Sequence, residues 1–284
     1  MYGHGEYRGR KRYKCKSCLK TFNDFTGTAI SGIQKTIEFQ EYIDLIPDNY
    51  SLRKASKKLG LNIKTVFDWR HKILSSLKTM NGQHFSGIVE CDDKQLDINK
   101  KGSSSLDRMP YKRPSDRTTK RGISNDKVSI MVATDRNTHP TMQVAKVGRI
   151  DCDSIDKTLG NFVQKETILY SDAHPSIIAW AKDKQLEHHT FIASKNQHIK
   201  DKCYHIQHIN SIDNLYERWI MRFYGVATKY LEQYLNWFVF LEKTKNAINP
   251  IQDLHKNLVS NTNAINHYKS IETRYEKLIF LQSS

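Results

Sequence analysis

Helical periodicity is clear in SLRKASKKLGLNIKTVFDWRHKIL, Ser51 to Leu74. Leu52, Ala55 and Leu59 recur at helical spacing, Gly60 interrupts them, and Val66, Trp69 and Ile73 resume the repeat. Two short helices joined at a glycine, with a small residue on the inner side of the first, predict a helix-turn-helix. From about residue 84 the texture changes. FSGIVECDDKQLDI, KVSIMVATD and TMQVAKVG carry the apolar runs of strands, CDSIDKTLGNFV predicts a helix, ETILYSDA a strand, PSIIAWAKDKQ a helix and HHTFI a short strand. YHIQHINSIDNLYERW then opens a further helix. Consecutive strands followed by strands that alternate with helices predict a mixed α/β domain, because parallel strands need long crossovers. Between the first two strands, Lys100 to Gly122 is basic and rich in Ser, Pro and Arg, and predicts a long loop. Trp219, Phe223, Tyr230 and Trp237 lie near a helical repeat and predict core positions, and the chain after about residue 245 reads as polar and helical.

Charge narrows the range of partners. Lys and Arg outnumber Asp and Glu by 45 to 30, a formal charge of +15, which favours a polyanion and nucleic acid first. On the second predicted helix, Lys64, Thr65, Asp68, Arg70, His71 and Lys72 are expected at or near the surface, where base and phosphate contacts are made. Cys15, Cys18, Cys91, Cys152 and Cys203 are odd in number and mostly far apart, so they predict a reduced, cytoplasmic protein rather than a disulfide framework. No apolar run reaches the ~18 residues that span a bilayer, and the basic N-terminus lacks a signal-peptide core. Cys15 and Cys18 form a single Cys-x-x-Cys knuckle, half the four-ligand set of a structural Zn²⁺ ribbon, with His4 the only other candidate nearby.

The candidate chemistry lies in carboxylates. Asp92 falls inside the apolar strand IVECDD, where a buried carboxylate is costly unless it is paired or holds a metal. Asp172 ends the strand ILYSD, at the edge where open α/β sheets place ligands, and it also reads as a cap for the helix that begins near Pro175. Glu90 and Asp93 read as solvent-facing. Two-metal phosphoryl chemistry needs such acids brought together from separate elements.

Taken in order, YKCKSCLKTFNDFTGT, SLRKASKKLGLNIKTVFDWRHKIL, GIVECDDKQLDI, KRGISNDKV, LYSDAHPS and YHIQHIN with FYGVATKYLEQYLNWF resemble a bacterial insertion-sequence transposase of the DDE superfamily. The resemblance runs from about residue 10 to 240. It implies a partial zinc ribbon at 1–30, a helix-turn-helix at 31–80, a ribonuclease-H-like catalytic domain of mixed sheet and flanking helices at 81–245, and a helical tail at 246–284. It also implies a polynucleotidyl transferase that cuts and joins DNA with Mg²⁺ or Mn²⁺, bound to transposon ends and target DNA as a homo-oligomer and located at the nucleoid. Asp92 and Asp172 match the first two catalytic acids, Asn210 the third metal ligand and His205 the preceding histidine, an Asp-Asp-Asn type. A competing register uses His208 and Asp213. Seven positions after Asn210 the family pattern has Lys, and this chain has Glu217. Either Arg218 beside it substitutes for the lysine, or Glu217 is an extra carboxylate near the site, or the copy has decayed; the alternative function is a decayed copy or a regulator that binds DNA without cutting it.

Overall fold

The computed structural model describes residues 1–7, 9–82, 84–103, 127–136, 140–191 and 207–280. His205 and most of the basic loop lie outside the described residues. The chain divides into two compact units, Met1–Thr79 with Ala247–Ser270, and Met80–Asn246 with Ile271–Ser284.

The first unit begins with an antiparallel sheet of β1 (Tyr2–Tyr7), β2 (Arg10–Lys14) and β3 (Thr21–Phe22). The β2–β3 link carries Cys15 and Cys18 in a tight turn, closed by Cys15 N–H to Lys20 O at 2.9 Å and Leu19 N–H to Cys15 O at 3.1 Å. Helix α1 (Thr36–Asp44) follows, then α2 (Leu52–Leu59) and α3 (Ile63–Ser76). The Ser51 hydroxyl caps α2, and Gly60 ends it in the left-handed region at φ 63°, a conformation that glycine adopts without strain. Asn62 caps α3 by accepting from Lys64 N–H at 2.8 Å. Ala55, Val66, Trp69 and Ile73 are buried, as their spacing predicts, and Trp69 meets Phe39 edge-on at 5.0 Å. Helices α8 (Pro250–Ser260) and α9 (Ala264–Lys269) return to this unit from the far end of the chain. Asn261 Nδ2 donates to Ser76 O at 2.8 Å, and Tyr268 to Asp68 at 3.3 Å.

The second unit is built on a five-stranded sheet in the order β6-β5-β4-β7-β8. Its strands are β4 (Ile88–Asp97), β5 (Lys127–Asp135), β6 (Thr141–Val147), β7 (Ile168–Asp172) and β8 (Glu187–Phe191). β4, β5 and β6 form an antiparallel meander, and β7 and β8 add in parallel on the other side of β4. This is the ribonuclease-H-like mixed sheet expected from the sequence. Val89 and Cys91 point from β4 into a core with α4 (Cys152–Leu159) and α5 (Pro175–Asp183), through Ile155, Leu159, Ile177 and Trp180. Side chains of the opposite alternation on β4 meet α6 (Gln207–Ile220). Helix α7 (Leu231–Thr244) stacks its aromatic residues on α6, with Trp219 and Trp237 edge-to-face at 5.4 Å. Both tryptophans are buried, so they are core residues rather than base-stacking surfaces. The segment read as a single polar tail is divided, since α10 (Ile271–Phe280) belongs to this second unit. Among the described residues, no helix is long and apolar enough to cross a membrane.

Candidate functional site

Asp92 and Asp172 lie on adjacent parallel strands. The ladder pairs Cys91 with Ser171, so the two aspartates stand side by side one step beyond it, a strand spacing of about 4.8 Å apart in the backbone. Burial, then the neighbouring Asp172 charge, pushes the Asp92 carboxyl up to about 7; the bond from Asp93 N–H at 2.8 Å opposes this, and the charges of Asp93 and Asp213 add to it. Asp172 Oδ1 also accepts from His174 N–H at 3.1 Å in the turn that leads into α5. The helix itself is capped by His174 Nδ1, which accepts from Ser176 N–H at 3.2 Å. Asp172 thus serves the turn and faces the acid cluster at once.

Helix α6 brings the third acid. Asp213 is half-buried, and its Oδ1 is buried without a hydrogen-bond partner. Burial raises the Asp213 carboxyl, Lys94 at 3.8 Å draws it back, and the charges of Glu217 and Asp93 push it up again. Asn210, three residues earlier, is exposed. Glu217 is 56% exposed at its side chain and accepts from Lys94 Nζ at 2.7 Å, whereas Lys94 is only 9% exposed. Its partner is therefore a lysine supplied by β4.

Glu90 departs from its expected solvent-facing position. It is 1% exposed and engages the start of α6, accepting from His208 N–H at 3.0 Å and Ile209 N–H at 3.2 Å, with His208 Nδ1 at 2.6 Å. The apolar residues on both sides of Glu90 gave no sign of this, because its partners lie 118 and 119 positions away.

Hard oxygen donors with one or two carboxylates per ion suit Mg²⁺, which keeps waters or phosphate oxygens in its other positions. The unpartnered buried Oδ1 of Asp213 and the charges of Asp172 and Asp213 acting on the partly buried Asp92 would be relieved by such a cation. Among the described residues, no group of three or more His, Cys, Asp or Glu side chains is placed to hold a metal ion, so the acids that would meet a cation here are the adjacent pair Asp92 and Asp172 with Asp213 nearby. No such group forms at the Cys15–Cys18 turn either, where backbone N–H groups of Cys18 and Ser17, then the Cys18 thiol, lower the Cys15 thiol to about 7. The residues there do not fit a four-ligand Zn²⁺ site.

The second helix of the helix-turn-helix exposes less than expected. Lys64 is exposed, and Thr65 and Lys72 are partly so. Arg70 and His71 are each 1% exposed, contrary to their expected place on a DNA-facing surface. Arg70 Nε donates to the Tyr42 hydroxyl at 2.9 Å and its terminal nitrogen to Tyr50 O, while His71 packs on Phe67 at 4.4 Å. Both follow Trp69 onto the inner side of a helix that is covered on more than one face.

Several known proteins are similar to this chain. The chain is 25% identical over 256 residues to an uncharacterized protein in transposable element ISH50 of Halobacterium salinarum, covering 87% of this chain and 85% of that one. Solved structures with some similarity include a pre-cleavage Mos1 transpososome, at TM-score 0.23, 11% identity and 81% and 79% coverage of the two chains. The Mos1 strand transfer complex stands at TM-score 0.23, 12% identity and 81% and 78% coverage. Residues 84–243 match the family described as the ISXO2-like transposase domain. These residues hold the whole β4–β8 sheet with α6 and nearly all of α7, and the chain belongs to that family of insertion-sequence transposases in the DDE superfamily.

Proposed function

We propose that the protein binds the ends of its insertion sequence through the first unit and cuts and joins DNA strands at Asp92, Asp172 and Asp213. The observation that carries this reading is the acid cluster on the central strand, where Asp172 and Asp213 both press on the partly buried Asp92. Such repulsion is unfavourable in isolation and becomes useful when a cation is held there. Asp213 replaces Asn210 as the third group, supported by its buried, unpartnered oxygen and by its charge acting on Asp92. Glu217 is read as the counter-ion of Lys94 rather than as a ligand.

Divalent ions, Mg²⁺ or Mn²⁺, when bound supply positive charge that activates the attacking oxygen and stabilises the leaving one. Asp92 would present carboxylate oxygens from the middle of β4 and Asp172 from the end of the adjacent β7, and Asp213 would present one from α6. In the first step a water oxygen attacks phosphorus and the P–O3′ bond breaks, so the 3′ oxygen leaves and takes up a proton. In the second step that 3′-hydroxyl loses its proton and attacks a target phosphodiester, forming one P–O bond as another breaks. The protein forms no covalent bond to DNA in either step. DNA contact is assigned to Lys64 and Thr65 at the open end of α3, with Arg53, Lys54, Lys57 and Lys58 exposed on α2. Joining two ends calls for more than one copy on DNA.

The test is strand cleavage on a labelled fragment that carries the element's own ends, with Mg²⁺ or Mn²⁺. Asp92→Asn is expected to bind that fragment normally and to yield no nick. Cleavage by the variant at the wild-type rate would refute the assignment.

A further inference from the structure

Glu90, Asp92 and Lys94 alternate along one face of β4, and each meets α6 at a different height. Glu90 holds His208 and Ile209, the charge of Asp213 reaches Asp92, and Lys94 holds Glu217. Two residues of strand advance about 6.6 Å and four residues of helix about 6 Å. The spacings match, so strand and helix keep step over the length of the acid cluster. We propose that Glu90 is a positioning residue, which ties the first turn of α6 to the catalytic strand and so sets the depth and rotation at which Asp213 faces Asp92. This rests on the reading of Asp92, Asp172 and Asp213 as the reacting site.

The opening amides of a helix lack intrahelical partners, and a nearby Ser, Thr, Asp or Asn usually serves them. Helix α6 takes this service from a carboxylate on β4 instead. Glu90 is buried, and its oxygens receive both backbone N–H groups and the His208 ring, with Arg136 Nη1 at 3.6 Å as a further positive group. His208 Nδ1 lies 2.6 Å from Glu90 Oε1 and 3.4 Å from Arg136 Nη1, so the ring sits between the carboxyl and the guanidinium. The carboxylate also complements the positive end of the helix dipole. Ile209 and Asp213 are four apart, hence one turn apart on nearly the same face. A shift of the first turn therefore moves Asp213. The Lys94–Glu217 pair pins the following turn, and Asp213 is held between two fixed points on the strand that carries Asp92.

Full-length protein is titrated with Mn²⁺ in EDTA-treated buffer, reading the midpoint of the rise in Tm, and cleavage is measured in parallel for kcat and for KM of end DNA. The set comprises wild type, Asp92→Asn, Glu90→Gln, Glu90→Ala, His208→Ala, and Ile155→Ala as a core change on the opposite face of the sheet. Glu90→Ala is expected to raise the Mn²⁺ midpoint and lower kcat by about 10- to 100-fold with KM unchanged, the range found for residues that orient ligands. Glu90→Gln and His208→Ala should fall between it and wild type, while Ile155→Ala lowers Tm and leaves the midpoint within about twofold. Wild-type midpoints and kcat in Glu90→Gln and His208→Ala would overturn the inference, as would an equal midpoint shift in Ile155→Ala at equal loss of Tm. If Asp92→Asn keeps the wild-type response to Mn²⁺, the assignment of the site itself fails, a result separable from failure of Glu90 alone.

Discussion

Without a cation, the acid cluster should cost stability, and removing one charge should return it. In the folded protein the Asp92 carboxyl is raised from 3.8 to about 7 by burial and by Asp172. A raised carboxyl binds its proton more tightly in the folded state than in the unfolded one, so stability falls as pH climbs from about 4 to about 7 and stays low above that. Some three pH units correspond to about 4 kcal/mol, and partial solvent access at the site trims this to about 2 kcal/mol. Asp92→Asn keeps the shape and abolishes the titration. For a domain of this size each kcal/mol moves Tm by about 2–4 °C, so the variant should melt about 4–8 °C higher than wild type at pH 8 in EDTA. At pH 4 the two should melt together. Thermal unfolding at the two pH values, followed by circular dichroism, is the assay. An Asp92→Asn Tm at or below wild type at pH 8, or the same difference at both pH values, would refute the reasoning. Saturating Mn²⁺ should reverse the order, since only the wild-type carboxylate gains from the cation.

Other changes separate the roles assigned above. Asp213→Asn should reduce cleavage at least 100-fold, beyond the about 10–100-fold that loss of a residue orienting a ligand costs, whereas Asn210→Ala, at an exposed position, should stay within about tenfold of wild type; the same gel assay reads both. Glu217→Lys places a second cation against Lys94 and should lower Tm, and Lys94→Glu combined with Glu217→Lys should recover part of that loss in a double-mutant cycle. Arg70→Ala should destabilise the first unit by about 3 kcal/mol, because it removes a buried charged donor from Tyr42 and Tyr50, and chemical denaturation reads the loss. Lys64→Ala should leave stability unchanged and reduce the salt slope of DNA binding by about one, measured by fluorescence anisotropy at several salt concentrations.

The succession of strands and helices along the chain and the helix pair between Ser51 and Leu74 were legible because each rests on local pattern. The alternation in IVECDD and the apolar run before Asp172 specify strands, and the Ser51, Gly60 and Asn62 signals delimit helices within a few residues. What stayed hidden depended on which face a helix turns inward. Arg70 and His71 looked like surface residues because α3 reads as amphipathic, yet they are buried among Tyr42, Tyr50 and Phe67. Nothing in the polar texture after residue 245 distinguishes α8 and α9, which join the first unit, from α10, which joins the second.

The third group proposed for the site shows the same limit most sharply. Asn210 and Asp213 are three residues apart, so they stand about 60° from each other around the helix axis. A periodicity argument tolerates that difference, and both registers in HINSID satisfy it. Which of the two turns toward β4 is set by the rotation of α6, and that rotation depends on contacts between residues more than a hundred positions apart: Glu90 with His208 and Ile209, and Lys94 with Glu217. With α6 so turned, Ile209, Ile212 and Tyr216 enter the core, Asp213 lies beside them against β4, and Asn210 faces outward. The glutamate where the family pattern has lysine then acquires a physical reason, because the cation on this side of the site comes from the strand. Had β4 carried a neutral residue at 94, Glu217 would add an uncompensated fourth acid to the cluster, and a lysine at 217 would be the stabilising choice.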